Sequence, residues 1–362
     1  MPLPEEHAMS DSDNPPRRQA HFNRPIIEAR WFTDDYLAPD WIIDGVLQRG
    51  RLYACTSLTS HGKTAVWLYN ACMIACGTPV GTHRTCQSDV LILQGENPDD
   101  LKGRLLAMQQ TMTLDYLPWV MPGHFALALD EIDRIHAQCE HLALKLGLVI
   151  VDTAASFFPF DEENSNVQNG QYARGCLRPL TKLPGEPAVV VLCHPVKGAA
   201  KDNLVPRGGG AFLNELDGNF TLWSEPPLRQ TTELHWQDKI RGPDFSPIIY
   251  RLKSVALDGY HDNFGNPPFS VVATPISEDA AASFVASNLI NQNQVLKTLN
   301  ENPTFSFADI ARALAWVTPD GNPIRHKVQR IVEQLETDKC VQQPRKGARY
   351  HLTEKGKKIA YG

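Results

Sequence analysis

The chain contains no uninterrupted apolar run of the ~20 residues a helix needs to cross a bilayer, so no transmembrane helix and no membrane partner are expected. Residues 1–23 lack the apolar centre of a secretory signal and instead carry Pro15, Pro16, Arg17 and Arg18; residues 1–25 read as a flexible tail and the protein as cytoplasmic. There is no CxxC pair. The eight cysteines are scattered among apolar residues, Cys72, Cys76, Cys193 and Cys340 among them, which argues against a zinc ribbon or a disulfide scaffold and for buried free thiols. A strong excess of charge of either sign is also lacking. The net charge is -6, so a nucleic-acid surface must be a local patch and not a global field. Internal repeats are absent. What remains is an ordinary globular composition, 42% hydrophobic over 362 residues, enough for two or three domains with sizeable cores.

From residue 51 onward, short apolar runs alternate with helical stretches. Residues 52–56, 89–95, 148–152 and 188–193 are apolar throughout, and residues 64–76, 99–112, 130–146 and 169–183 between them read as helices. That pattern predicts an α/β fold with a mainly parallel sheet covered on both faces. Trp31 and Phe32 read as an aromatic lead-in that packs before the first core strand. After Gly208, residues 219–223, 230–236 and 247–252 are strand-like and predict an antiparallel extension of the sheet. The organisation expected is a tail (1–25), an α/β domain (26–274), a linker (275–290) and a small C-terminal module (291–362).

The first strand is followed by Ser57-Leu58-Thr59-Ser60-His61-Gly62-Lys63-Thr64, a phosphate-binding loop of the form GxxxxGK[ST] with Ser57 at the first glycine position. Backbone N–H groups of Ser60, His61, Gly62, Lys63, Thr64 and Ala65 would cradle phosphates at a helix N-terminus. Lys63 would reach the β- and γ-phosphates, and Thr64 would offer its hydroxyl to Mg²⁺. Asp152 ends a buried strand and suits a Mg²⁺-water ligand, where the bland alternative is a turn cap. Glu96 ends the second strand, where it can orient or deprotonate an attacking water; Asn97 there is a good helix cap in its own right. His194 ends the fourth strand and is either a γ-phosphate sensor or a structural histidine.

Taken together, Ser57 to Thr64, Gly95-Glu96-Asn97-Pro98-Asp99-Asp100, Val149-Ile150-Val151-Asp152-Thr153 and Gly208-Gly209-Gly210-Ala211-Phe212 resemble the RepA-type AAA-family ATPases. These are RecA-fold motors that include hexameric replicative helicases of broad-host-range plasmids. The resemblance covers about residues 27–255. It implies a RecA-like P-loop NTPase core, Mg²⁺-dependent ATP hydrolysis and a homo-oligomeric ring. It also implies a P-loop lysine at Lys63, a hydroxyl ligand at Thr64, a catalytic glutamate at Glu96, a Walker-B aspartate at Asp152 and a sensor histidine at His194. Ring ATPases complete each site with a neighbour's cation, for which Arg207 and the pair Lys239 and Arg241 are candidates. The loop 198–210, with Lys201 and Arg207, would face a ring channel and could hold a single strand by its phosphates.

The C-terminal module resembles a winged helix-turn-helix domain, with helices near residues 295–299, 306–314 and 325–337 and a hairpin wing after Cys340. Arg325, His326, Lys327 and Arg330 fall on its recognition helix, and Arg345, Lys346 and Arg349 on its wing, a basic cluster suited to DNA. Winged helices also serve as protein–protein modules. Two activities are therefore in view: a DNA-dependent ATPase motor of helicase type, and an ATP-dependent DNA-binding regulator that does not unwind. A nucleotide-binding paralogue with poor turnover is a third reading, prompted by Ser57.

Overall fold

The computed structural model describes residues 27–34, 36–162, 165–225, 230–345 and 347–361. The predicted tail, residues 1–25, lies outside them. The chain divides into two compact units at residues 39 and 40. In the first, α1 (Ala29–Phe32) is a single turn with no buried residue. Trp31 and Phe32, expected to pack, are instead 39% and 68% exposed, because one helical turn cannot bury a face by itself.

The second unit opens with an antiparallel pair, β1 (Trp41–Ile43) and β2 (Leu47–Gln48). There follow β3 (Leu52–Thr56), α2 (Lys63–Cys76), β4 (Asp89–Gln94), α3 (Pro98–Thr111), β5 (Trp119–Pro122) and α4 (Leu129–His141). Then come β6 (Leu146–Asp152), α5 (Asn166–Tyr172), β7 (Ala188–Cys193), α6 (Gly209–Glu215), β8 (Gly218–Trp223), β9 (Thr231–Ile240), β10 (Ile248–Ala256) and β11 (Phe269–Ile276). One nine-stranded sheet results, in the order β11-β10-β9-β8-β3-β7-β6-β4-β5. Neighbours from β8 through β5 are parallel, and β9, β10 and β11 run antiparallel. The α/β fold with a mainly parallel sheet and an antiparallel extension is thus as the sequence predicts.

The uniformly apolar strands are explained by two hydrophobic layers. In β3, Tyr53 and Cys55 join the layer that contains α2, while Leu52 and Ala54 join the opposite one. Successive strand residues point to opposite faces, so a strand buried on both must be apolar at every position. The helix predicted over 169–183 is broken: α5 is followed by a π turn (Ala173–Leu177) and a 3₁₀ segment (Arg178–Lys182). Pro179 lacks the N–H that an α-helix would use there. The antiparallel strands curl back over the helices, and the Tyr250 hydroxyl donates to Asn70 Oδ1 of α2 at 2.8 Å in a fully buried contact.

The C-terminal region comprises α7 (Glu278–Glu301), α8 (Phe307–Ala313), α9 (Arg325–Thr337), β12 (Val341–Gln342), β13 (His351–Leu352) and α10 (Glu354–Tyr361). Most of residues 275–290, the expected linker, form the first half of α7, a 24-residue helix capped by the Ser277 hydroxyl, which accepts from Ala280 N–H at 3.2 Å. α8 begins with a reciprocal Ser306–Asp309 capping box. These elements bury their own core of Val295, Leu296, Leu299, Ile310, Val328, Val332 and Leu335. Contact with the sheet is made through Arg251 of β10, whose guanidinium lies 4.4 Å above the Phe284 ring of α7. Free thiols are also as expected, with Cys86 exposed and Cys76 half-buried as the exceptions to burial.

Candidate nucleotide site

Functional side chains collect where parallel strands end and helices begin, at the carboxyl edge of the sheet. The loop between β3 and α2 sits there. Its left-handed residues are Ser60 (φ 67°) and Gly62 (φ 86°), and Ser57 is not among them. The first loop position therefore does not require glycine, which is how a serine is accommodated. Gly62 has a second constraint: a Cβ there would come within 2.9 Å of Leu252 Cδ1, so β10 packs directly on the loop.

Lys63 is almost fully buried, and its ammonium donates to Ser57 O at 2.9 Å, Ser57 Oγ at 3.3 Å and Leu58 O at 3.4 Å. Burial lowers its pKa, opposed chiefly by neighbouring Cys55, Asp152, Cys193 and Glu96. Thr64 Oγ1 donates to Asp152 Oδ2 at 2.8 Å. Asp152 is only 3% exposed, and burial pushes its carboxyl up to about 6, against the Thr64 hydrogen bond that favours the ionised form. The Asp152–Thr153 peptide is cis.

Glu96 is brought beside Asp152 because the N–H groups of Gly95 and Glu96 both donate to Asp152 O, at 2.9 and 3.4 Å. Gly95 permits this approach, since a Cβ there would lie 2.5 Å from Ser156 Cβ. Glu96 itself is exposed to the cleft. His194 is half-buried; burial and the charge of Lys63 lower its pKa, which keeps it neutral at pH 7. Its carbonyl accepts from Arg207 N–H at 2.9 Å across a Pro195–Pro206 bridge, so Arg207 stands next to the histidine of its own chain. Lys63, Thr64, Glu96, Asp152 and His194 all line one cleft of about 880 Å³, together with Ser60, Gly62 and Ala65. His61 is placed differently: it is buried, accepts from Ser224 N–H at 3.1 Å and meets Trp223 edge-on.

Lys239 and Arg241 are not brought to this cleft. They end β9, whose Ile240 pairs with Gly218 at the start of β8, the sheet end opposite the phosphate loop. Lys239 donates to the carbonyls of Leu213 and Asn214, at 3.0 and 2.7 Å, and closes α6. Arg241 binds the fully buried Asp217 at 3.1 Å, a carboxylate shared with Arg178 and with the Leu52 N–H. The C-terminal basic residues are dispersed as well. Arg325 and Arg345 are exposed, Lys327 Nζ lies 3.6 Å over the Trp316 ring, and Arg349 donates to Phe305 O at 3.3 Å. Lys346 lies outside the described residues. Arg330 lines the nucleotide cleft.

Several cleft residues escaped sequence reasoning, Arg104 of α3 among them. Gln94 is 2% exposed, pairs with Asp152 in the β4–β6 register, and its Oε1 has no hydrogen-bond partner among the described residues. Its signal was an amide closing an otherwise apolar strand. Arg251 and Lys253 arrive from β10, and nothing local in the sequence marks a strand so distant along the chain as a wall of this site.

A buried lysine in the loop before a helix, a threonine paired with a strand-end aspartate and a glutamate beside them are the groups that P-loop nucleotide hydrolysis would use. A profile of the AAA domain family matches residues 16–200, just over half of the chain, and the protein belongs to that family. No curated protein matches it. Among solved structures, it is similar to one described as an ATPase domain, at 12% identity and a TM-score of 0.42, over 56% of this chain and 82% of that one.

Proposed function

We propose that this protein is a Mg²⁺-dependent ATPase that acts on DNA as a ring-forming motor of helicase type, with its C-terminal module, a winged-helix domain, as a DNA contact. The observation that carries the ATPase reading is the convergence of Lys63, the Thr64–Asp152 pair and Glu96 on one cleft. The protein oxygens fit a hard divalent cation: the Thr64 hydroxyl, the Asp152 carboxylate and the unpartnered Gln94 Oε1 are oxygen donors only. A cation of this kind is held by one or two protein oxygens together with the substrate phosphates. When bound there, Mg²⁺ would neutralise charge on the β- and γ-phosphates.

The residues divide the chemistry among themselves. Loop N–H groups hold the phosphates, and Lys63 leaves the Ser57 and Leu58 carbonyls to meet the triphosphate. Glu96 accepts the proton of a water that attacks the γ-phosphorus, and the β–γ bridging oxygen departs with ADP. Neutral His194 senses the γ-phosphate as a hydrogen-bond partner, and its backbone tie to Arg207 passes the change to the 194–208 loop. Lys239 and Arg241 can act on phosphate only in a neighbouring subunit, since they lie at the far end of their own sheet. Arg207, at the edge of its own site, is the other candidate for such a trans cation, and the hexameric ring is the assembly in which either would work. Exposed Arg325 and Arg345 support DNA contact by the C-terminal module.

ATP turnover of the purified chain, with and without single-stranded DNA and beside Lys63→Ala, tests this. Turnover that rises with DNA, disappears in the variant and is accompanied by strand separation supports the motor. DNA-stimulated turnover with no separation of strands would favour an ATP-dependent regulator.

A further inference from the structure

We propose that Arg330, in α9 of the C-terminal module, is a nucleotide-phosphate ligand supplied in cis, so that bound nucleotide clamps this module onto the ATPase sheet. The inference rests on the nucleotide reading of the cleft. Arg330 lines the same cleft as Gly62, Lys63, Glu96 and Asp152, as do Arg251 and Lys253 of β10. Arg104, a fourth cation there, is already engaged: it donates to Asp100 Oδ2 at 2.6 Å and to Val271 O at 3.2 Å. Among the described residues, Lys253 and Arg330 have no carboxylate or hydrogen-bond partner, and Arg251 is occupied by the face of Phe284 alone. Three like charges converging on a cleft repel one another, and an anion between them and the phosphate loop relieves that repulsion. A guanidinium is suited to the task because its planar fork meets phosphate oxygens two at a time.

Helix geometry separates Arg330 from the other basic residues of α9. At 3.6 residues per turn, Arg325 and Arg330 point about 140° apart. Arg325 is exposed, and Lys327 is held over Trp316. Arg330 is exposed too, but it lines the cleft and does not share a stripe with Arg325. Because α9 and α7 share a core, through Val328, Val332 and Leu296, and α7 is joined to the sheet through Phe284 and Arg251, a phosphate held by Arg330 adds a second attachment between module and sheet. Whatever nucleotide does to the position of the module, that position does in reverse to nucleotide affinity.

The test uses the full chain: wild type, Arg330→Ala, Arg330→Lys, Lys63→Ala and, as a charge control in the same module, Arg312→Ala. Equilibrium binding of a fluorescent ATP analogue is measured, together with hydrogen exchange of α7 and α9 with and without that analogue. Arg330→Ala should weaken binding about tenfold, as loss of a charge-assisted hydrogen bond at a partly hydrated site does. Arg330→Lys should recover part of that loss, and Arg312→Ala should bind as wild type does. Nucleotide should slow exchange in α9 and α7 of wild type and leave both unchanged in Arg330→Ala. Binding by Arg330→Ala within twofold of wild type, or slowing confined to the phosphate loop and α3, overturns the proposal. Failure of wild type to bind, or undiminished binding by Lys63→Ala, would instead overturn the nucleotide reading itself.

Discussion

Asp152 carries a cost that can be measured apart from any activity. Its carboxyl is raised from 3.8 to about 6 by burial, and a shift of that size corresponds to about 3 kcal/mol of lost stability once the group is ionised in the folded chain. The sign follows from proton binding. Between pH 3.8 and 6 the folded state binds the proton that the unfolded state has released, so stability declines as pH rises through this window and the cost is complete above about pH 6. Asp152→Asn removes the ionisation while keeping an oxygen to accept from Thr64 Oγ1. The variant should therefore be more stable than wild type in the absence of ligand at pH 7.5. For the unit that spans residues 40–362, about 3 kcal/mol is a rise in Tm of about 4–5 °C if it unfolds in one transition.

Differential scanning calorimetry across pH 4 to 8 reads this directly. The offset between variant and wild type should be full at pH 7 and shrink steadily below pH 6. Addition of Mg²⁺ and a non-hydrolysable ATP analogue should raise the Tm of wild type by mass action, and the variant should gain less. A variant that melts below wild type without ligand at pH 7.5, or an offset that does not change with pH, would refute the view that Asp152 is an ionised carboxylate held against burial for the sake of a cation.

Glu96→Gln should keep nucleotide affinity within about threefold and slow hydrolysis by about 10²–10⁴, as loss of a general base does; normal turnover would remove Glu96 from the mechanism. Gly95→Ala should destabilise the chain by about 2–3 kcal/mol, because the added methyl meets Ser156 Cβ at 2.5 Å and Phe157 Cζ at 3.0 Å, and thermal denaturation would show it. Arg241→Ala should lower stability by no more than about 1 kcal/mol, since its side chain is 59% exposed and Asp217 keeps Arg178. If it or Arg207 acts in trans, turnover lost in Arg207→Ala or Arg241→Ala should return in part when the variant is mixed with Lys63→Ala subunits. No recovery in either mixture would leave both arginines with local roles.

The parts of the site that lie within one strand and the turn after it were legible in the sequence. Lys63, Thr64, Glu96, Asp152 and His194 each follow an apolar run, and parallel strands align their carboxyl ends, so four separate signals imply one cleft. The parts supplied from elsewhere were not. Arg251 and Lys253 reach the cleft because β10 folds back antiparallel over α2, a placement set by packing such as Leu252 on Gly62 and Tyr250 on Asn70. The 275–290 stretch read as a linker for a related reason: its apolar residues are mostly alanines, Phe284 and Val285 are only half-buried, and its helix is an extension of the well-packed half that holds Val295, Leu296 and Leu299. A basic cluster likewise shows in sequence as charge without direction. Arg325, Lys327 and Arg330 look equivalent there, yet Lys327 lies over an indole, and of the two exposed arginines only Arg330 lines the cleft. On the proposed reading, that difference in direction separates a residue offered to DNA from one that ties the C-terminal module to the state of the cleft.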